Sequence, residues 1–105
     1  MVITYKLEAE MELMERHIKV LKQVILNQPV GIIKLSQILN MPEHKIRYSL
    51  RLLEQEGIIE ASPSGARATK DTKKILSHLK DVLDDLERKS TRIRKEIEEI
   101  EKLEL

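Results

Sequence analysis

The sequence contains no cysteine, no phenylalanine and no tryptophan, and its only aromatic residues are Tyr5 and Tyr48. Without cysteine there is no disulfide framework, no thiolate metal site and no thiol nucleophile, which fits a cytoplasmic setting. Without large aromatics, the core has to be assembled from Leu, Ile, Val and Met. Glycine and proline each occur only three times, so each one marks a boundary rather than a flexible stretch. No apolar run approaches the ~20 residues that span a bilayer. The opening MVITYKLEAEMELMERH meets acidic residues early, so neither a secretory signal nor a membrane span is expected. There is no glycine-rich phosphate loop and no Ser, His and acid set placed by a motif, so enzymatic chemistry and a bound cofactor are not expected. His17, His44 and His78 lack the spacing of ligands on one helix, and no carboxylate pair completes a metal site.

What remains is a chain of 105 residues, 35% charged and 41% hydrophobic. That composition describes a globular protein with room for one domain and an appendage. A compact part of about 60 residues is only marginally stable alone, so support from a long helix or a second chain is expected. The net charge of +1 hides a division. Residues 1–80 carry thirteen Lys and Arg against nine Asp and Glu, whereas residues 81–105 carry six against nine. Only the front part is therefore suited to approach a polyanion; a chance fluctuation of this size is the plain alternative.

Apolar spacing and punctuation divide the chain into helices. From a cap at Thr4, Leu7, Met11, Met14, Ile18, Leu21 and Ile25 recur at intervals of four and three, with Val20, Val24 and Leu26 widening the stripe. Glu12 to Arg16 and Glu15 to Lys19 are supporting pairs four residues apart. Asn27-Gln28-Pro29 ends this helix. Ile32 to Leu39 gives a two-turn helix burying Ile32, Leu35, Ile38 and Leu39, and Asn40-Met41-Pro42 breaks it. A third helix runs from about Pro42 to Glu56, since proline suits a first turn and Gly57 a left-handed cap. Ile58 to Ala61 and Ala66 to Thr69 are short strands around the turn Ser62-Pro63-Ser64-Gly65.

From a cap at Thr69 the remainder is one long helix. Leu79, Leu86, Ile93 and Ile100 fall at one heptad position, and Ile75, Val82 and Leu103 at the other, which Lys89 and Glu96 interrupt. Leu76, Leu83 and Ile97 lie on the flank. Some 35 helical residues span about 50 Å, farther than a 60-residue body reaches, so a partner has to cover part of the stripe. Residues 1–14 are expected to project towards a dimer contact, 15–74 to form the body, and 75–105 to form a dimerisation helix using Leu79, Val82, Leu86, Ile93, Ile97, Ile100 and Leu103.

At about 100° per residue, Ile46, Leu50, Leu53 and Gly57 define the inner face of the third helix. His44, Tyr48, Arg51 and Gln55 point away from it, with Lys45 and Arg47 on its flanks. Such a face, starting at the positive end of a helix dipole, suits phosphates and guanine edges. Glu54 and Glu56 repel a backbone at the far end, so contacts should concentrate in the first half. Arg67 on the second strand and Lys70 after it are further candidates for phosphate contact, and Lys73 and Lys74 follow them. Each cation has a bland alternative as part of a solvated face, and Tyr48 as a ring lying across neighbouring stems.

The chain of Leu35, Leu39, Met41, Ile46, Leu50, Leu53, Gly57 and Ile58, in the order helix, turn, helix, hairpin, resembles the winged-helix transcriptional regulators. The stretch NQPVGIIKLSQILNMPEHKIRYSLRLLEQEGIIEASPSGARATKDTKKIL is similar to small regulators predicted in archaeal genomes. The resemblance covers about His17 to Leu76 and implies a mostly α fold with a small β-hairpin wing, followed here by the long coiled-coil-like helix. It implies that the third helix enters the major groove of double-stranded DNA while the wing touches the flanking backbone. Asparagine at position 40 replaces the usual glycine of the turn, and tolerates positive φ better than most residues. The leading expectation is thus a homodimeric, sequence-specific regulator with half-sites about 34 Å apart. An architectural DNA binder of low specificity and a protein-interaction adaptor are the alternatives, and no pocket for an effector is evident.

Overall fold

The computed structural model describes residues 1–104, leaving the last residue of the expected 75–105 tail outside the described part. Four helices and one hairpin follow in the order α1 (Val2–Asn27), α2 (Ile32–Leu39), α3 (Glu43–Gln55), β1 (Ile59–Ser62), β2 (Gly65–Ala68) and α4 (Thr72–Glu101). This is a mostly α winged helix-turn-helix with a long C-terminal helix. Its contacts divide the chain into two units, Met1–Thr72 and Lys73–Leu105. No helix among the described residues is long and apolar enough to cross a membrane.

In the first unit α3 packs against α1, α2 and β1. The core is aliphatic: Val20, Leu21 and Val24 from α1, Leu35 from α2, Ile46 and Leu53 from α3, with Val30, Ile58 and Ile59 around them. Several expectations need correction. The ladder of α1 starts at Met1, whose carbonyl accepts the Tyr5 N–H, so Thr4 lies inside the helix and caps nothing. The buried edge of α1 centres on Val20, Leu21 and Val24, while Leu7, Met11 and Leu26 are exposed. Ile38 is 41% exposed rather than core, because Leu35 alone of α2 faces the interior squarely. On α3, Leu50 is half-buried and Ser49 takes the fully buried place beside Ile46 and Leu53.

Local chemistry fixes the turns. Asn40 adopts φ 51° and ψ 48°, the left-handed conformation the turn requires. The Ser36 carbonyl accepts the N–H groups of both Asn40 and Met41, and the Ser36 hydroxyl donates to the Met41 carbonyl. Helix α3 begins one residue later than expected, with Pro42 as its cap. It ends in a paired cap: at φ 74° Gly57 donates to the Glu54 carbonyl at 3.0 Å, and Ile58 to the Leu53 carbonyl at 3.0 Å.

The wing is an antiparallel pair in the register Ile59 with Ala68, Glu60 with Arg67, Ala61 with Ala66 and Ser62 with Gly65. Both strands are shifted by one residue from expectation, leaving Pro63-Ser64 as the turn. A third segment joins it: Val30, before α2, exchanges both backbone hydrogen bonds with Ala66, at 3.1 and 2.8 Å. Gly65 makes this approach possible, because a Cβ there would lie 2.6 to 2.8 Å from the Val30 backbone.

Thr69 is not the cap of α4, which starts at Thr72. Its hydroxyl instead donates to the Gly57 carbonyl at 2.8 Å and accepts the Asp71 N–H. The buried Thr72 hydroxyl donates to the Ile58 carbonyl at 2.6 Å. These two threonines tie the wing exit to the turn after α3. Beyond Thr72, α4 has no buried residue among those described. Its ion pairs are local: Asp85 meets Lys89 at 3.0 Å and Arg88 at 3.6 Å, and the Lys89 hydrogen bond holds the Asp85 carboxyl below the usual carboxylate range.

Candidate nucleic-acid interface

Burial of Ile46, Ser49 and Leu53 on one side of α3 turns the opposite side outward. His44, Lys45, Arg47, Tyr48, Arg51 and Gln55 are all exposed. The first five of these line one concavity, and α1 contributes Arg16 to it. No carboxylate lines it. Arg47 and Arg51 also border the neighbouring groove under α2 and the wing, where Lys34, Glu43, Glu54 and Leu50 lie. The two arginines therefore stand on a ridge between two depressions, at the middle of the outward surface.

Tyr48 is 40% exposed, and what it leans on belongs to α1. Its ring centroid is 5.8 Å from that of His17, and the Arg16 guanidinium carbon lies 5.9 Å from its centre. Arg16 does not form the expected pair with Glu12; the α1 pair that does form is Glu15 with Lys19, at 3.7 Å. Arg16 Nε is buried with no hydrogen-bond partner among the described residues. Stacking on an electron-rich ring holds such a guanidinium in place while leaving its donors uncommitted. Behind Tyr48, His17 Nδ1 and the buried Ser49 Oγ share a hydrogen bond of 2.8 Å, joining α1 to α3. Burial, and then the nearby Arg16 charge, push the His17 imidazole below its ordinary range, so it is neutral at neutral pH.

The remaining candidates lie elsewhere. Arg67 is held by Glu60 directly across the wing at 3.1 Å. Lys70, in the turn after β2, borders a separate depression with Glu54, Glu60 and Asp71. Neither joins the concavity at the start of α3. Two contributors escaped the sequence reading. Arg16 sits four residues after Glu12, a spacing that signals a helix-surface pair. Ser49 is polar, and only the facing His17 explains its burial. A signal for Ser49 was present in the wheel, which places it about 60° from Ile46 and about 40° from Leu53, at the edge of the inner face. No cluster of three His, Asp or Glu side chains suited to a metal occurs among the described residues.

On α4 the stripe from Leu79 through Val82, Leu86, Ile93, Ile97 and Ile100 stays on one helix face and is exposed from Val82 onward, whereas the helix stops at Glu101, short of the expected end, so Leu103 lies beyond it in the closing turn. At the start of α1, Met1 before it and Val2, Ile3, Tyr5, Leu7 and Met11 on it are exposed, with Ile18, Ile25 and Leu26 further along.

Residues 13–83 match the family model of the CggR N-terminal DNA-binding domain. The chain belongs to that family. Membership makes it a DNA-binding domain of the winged-helix regulator type, and the matched segment runs from the second half of α1 through the wing into α4. The family speaks for the regulator part of the resemblance and carries nothing on its archaeal part. No curated protein matches the chain.

Proposed function

We propose that this protein is a homodimeric, sequence-specific DNA-binding transcriptional regulator that sets the first half of α3 in the major groove. The observation that carries this reading is the concavity of Arg16, His44, Lys45, Arg47, Tyr48 and Arg51, four fixed cations with no carboxylate in the lining. A phosphate or a guanine edge is matched by such a donor set, and planar arginine forks favour bidentate contact with guanine O6 and N7. Arg47 and Arg51, on the ridge, are assigned to base edges. Lys45 and Arg16 are assigned to the backbone. Glu60 neutralises much of Arg67, so the wing contributes positioning more than charge, with Lys70 a peripheral phosphate contact and Gln55 at the far end of the contact surface.

The dimer reading rests on the exposed stripe of α4 and the apolar start of α1. Two copies would present two α3 helices to half-sites one helical turn of ~34 Å apart, or a multiple of it. A non-catalytic protein, working in the cytoplasm without a bound cofactor, completes the proposal.

The test is a gel-shift titration at fixed salt on a site obtained by selection from random oligonucleotides. Arg47→Ala/Arg51→Ala should weaken binding at least tenfold and flatten the preference for that site, since each lost base contact is worth ~1–3 kcal/mol. Undiminished binding by folded double variant would refute the assignment of α3 to the groove.

A further inference from the structure

The α4 stripe lies open: Val82 and Leu83 are 38% exposed, Leu86 42%, Ile97 and Ile100 52%, and Ile93 62%. Building on the dimer reading above, we propose that α4 pairs antiparallel with α4 of a second copy of this chain, about a twofold axis passing between Lys89 and Ser90. The inference adds a direction and a register that the dimer reading lacks.

The argument comes from the charges that border the stripe. Leu79, Leu86, Ile93 and Ile100 repeat every seven residues along its centre. The residue before each forms one flanking row, which reads His78, Asp85, Arg92, Glu99. The residue after each forms the other, Lys80, Glu87, Arg94, Glu101. From Asp85 on in the first row and throughout the second, sign alternates at every step.

A twofold axis perpendicular to two antiparallel helices brings the same row of both copies to the same side. With the axis between Lys89 and Ser90, Asp85 meets the partner's Arg92. Glu87 meets the partner's Arg94, and Lys80 meets the partner's Glu101. Within the two flanking rows, each of these charged contacts is between opposite signs. Along the centre, Leu79 packs on the partner's Ile100 and Leu86 on the partner's Ile93, while Leu83 approaches the partner's Ile97.

A parallel, in-register pair does the reverse, because its axis sets one row against the other at equal height. Asp85 then meets the partner's Glu87, Arg92 the partner's Arg94, and Glu99 the partner's Glu101. All three are repulsive, and Glu96 is placed against its own copy in the seam. Like charges at such positions destabilise a helix pair and decide its orientation. Lys89 nears its own copy in both arrangements, with Asp85 at 3.0 Å as its counter-ion. Glu87, Arg92, Arg94 and Glu101 have no ion-pair partner on their own helix among the described residues, so they are free to pair across the interface. In the antiparallel register Thr72 and the partner's Thr72 are separated by 35 residue rises, about 50 Å, and the two DNA-binding units are attached at opposite ends of the pair.

One charge reversal separates the arrangements with little risk to the fold, since Glu87 is exposed. Glu87→Arg sets like charges against the partner's Arg94 twice by symmetry, and should raise the dimer dissociation constant of the full chain about tenfold. Adding Arg94→Glu to the same chain should restore it. In a parallel pair Glu87→Arg would instead tighten association, because it would meet Asp85. Analytical ultracentrifugation over a dilution series gives both values. Cross-linking provides a second readout on a chain that has no cysteine of its own. Leu79→Cys and Ile100→Cys proteins should oxidise to a covalent dimer when mixed, and not when each is alone. Self-linking of either variant alone, or tightening by Glu87→Arg, overturns the antiparallel register while leaving a dimer. A dimer that links in no combination overturns the register with the axis between Lys89 and Ser90. A monomeric mass for the unmodified protein at micromolar concentration defeats the dimer reading itself.

Discussion

The winged-helix unit and α4 treat their aliphatic residues in opposite ways. Leu35 and Ile46 are fully enclosed within the chain, whereas Ile93 is 62% exposed on a helix with no buried residue beyond Thr72 among those described. The polar groups differ in the same way. In the first unit His17, Ser49, Thr69 and Thr72 hydrogen-bond across elements, while the ion pairs of α4 run between neighbouring turns. A set of short helices is closed by tertiary contacts, but a lone amphipathic helix of 30 residues is a surface awaiting its complement. Burial within the chain therefore separates residues that hold the fold from residues the proposed dimer would use.

The sharpest test of this contrast sets Leu53→Ala against Ile93→Ala. Leu53 is 4% exposed, so its truncation should cost about 2–5 kcal/mol in urea unfolding at every protein concentration. Ile93→Ala should leave dilute protein nearly unchanged and lose stability only where the dimer forms. Equal losses at all concentrations would erase the distinction. A smaller effect is expected at Gly65, where φ is 129° and a Cβ would press on the Val30 backbone. Gly65→Ala should cost about 1–3 kcal/mol, measured by thermal melting, with the loss confined to the first unit.

The smallest effect concerns the join behind Tyr48. Ser49→Ala removes one partner of a buried hydrogen bond and should cost about 1–2 kcal/mol. The same site adds a pH dependence of definite sign. Because His17 titrates lower in the folded chain than in the unfolded one, the unfolded state binds more protons between the two values. Stability from this group is present above pH ~6.5 and declines as pH falls towards the folded value. The melting temperature should fall on acidification from pH 7 to 5, and His17→Gln should flatten that slope. A slope unchanged by the substitution assigns the acid sensitivity to other groups.

How much of this was legible in the sequence follows the range of the forces involved. Gly57, Pro42 and Asn40 marked their boundaries because the constraint on φ belongs to the residue itself. The inner face of α3 and the stripe of α4 follow from helical period alone. Leu50 is less buried than its place on the inner face implied, and the burial of Ser49 was not read, because the wheel gives direction but not which neighbour stands there, and His17 is 32 residues away. Arg16 was hidden for the same reason, since its ring partner Tyr48 lies on another helix. The Glu60–Arg67 contact was within reach. Both residues stand equally far from the Pro63-Ser64 turn, so the hairpin register alone opposes them.

That register carries a consequence for how such a chain can diverge. Val30 grips Ala66 one pair from the turn, with Gly65 against the Val30 backbone, and at the tip the Ser62 hydroxyl donates to the Gly65 carbonyl at 2.7 Å and accepts the Ser64 N–H at 3.3 Å. The hairpin is thus anchored almost to its tip, and Pro63-Ser64 alone lies beyond the anchor. Residues inserted between Pro63 and Ser64 would lengthen the hairpin without disturbing the body beneath, making this dipeptide the place where the reach of the wing can change at least cost to the fold.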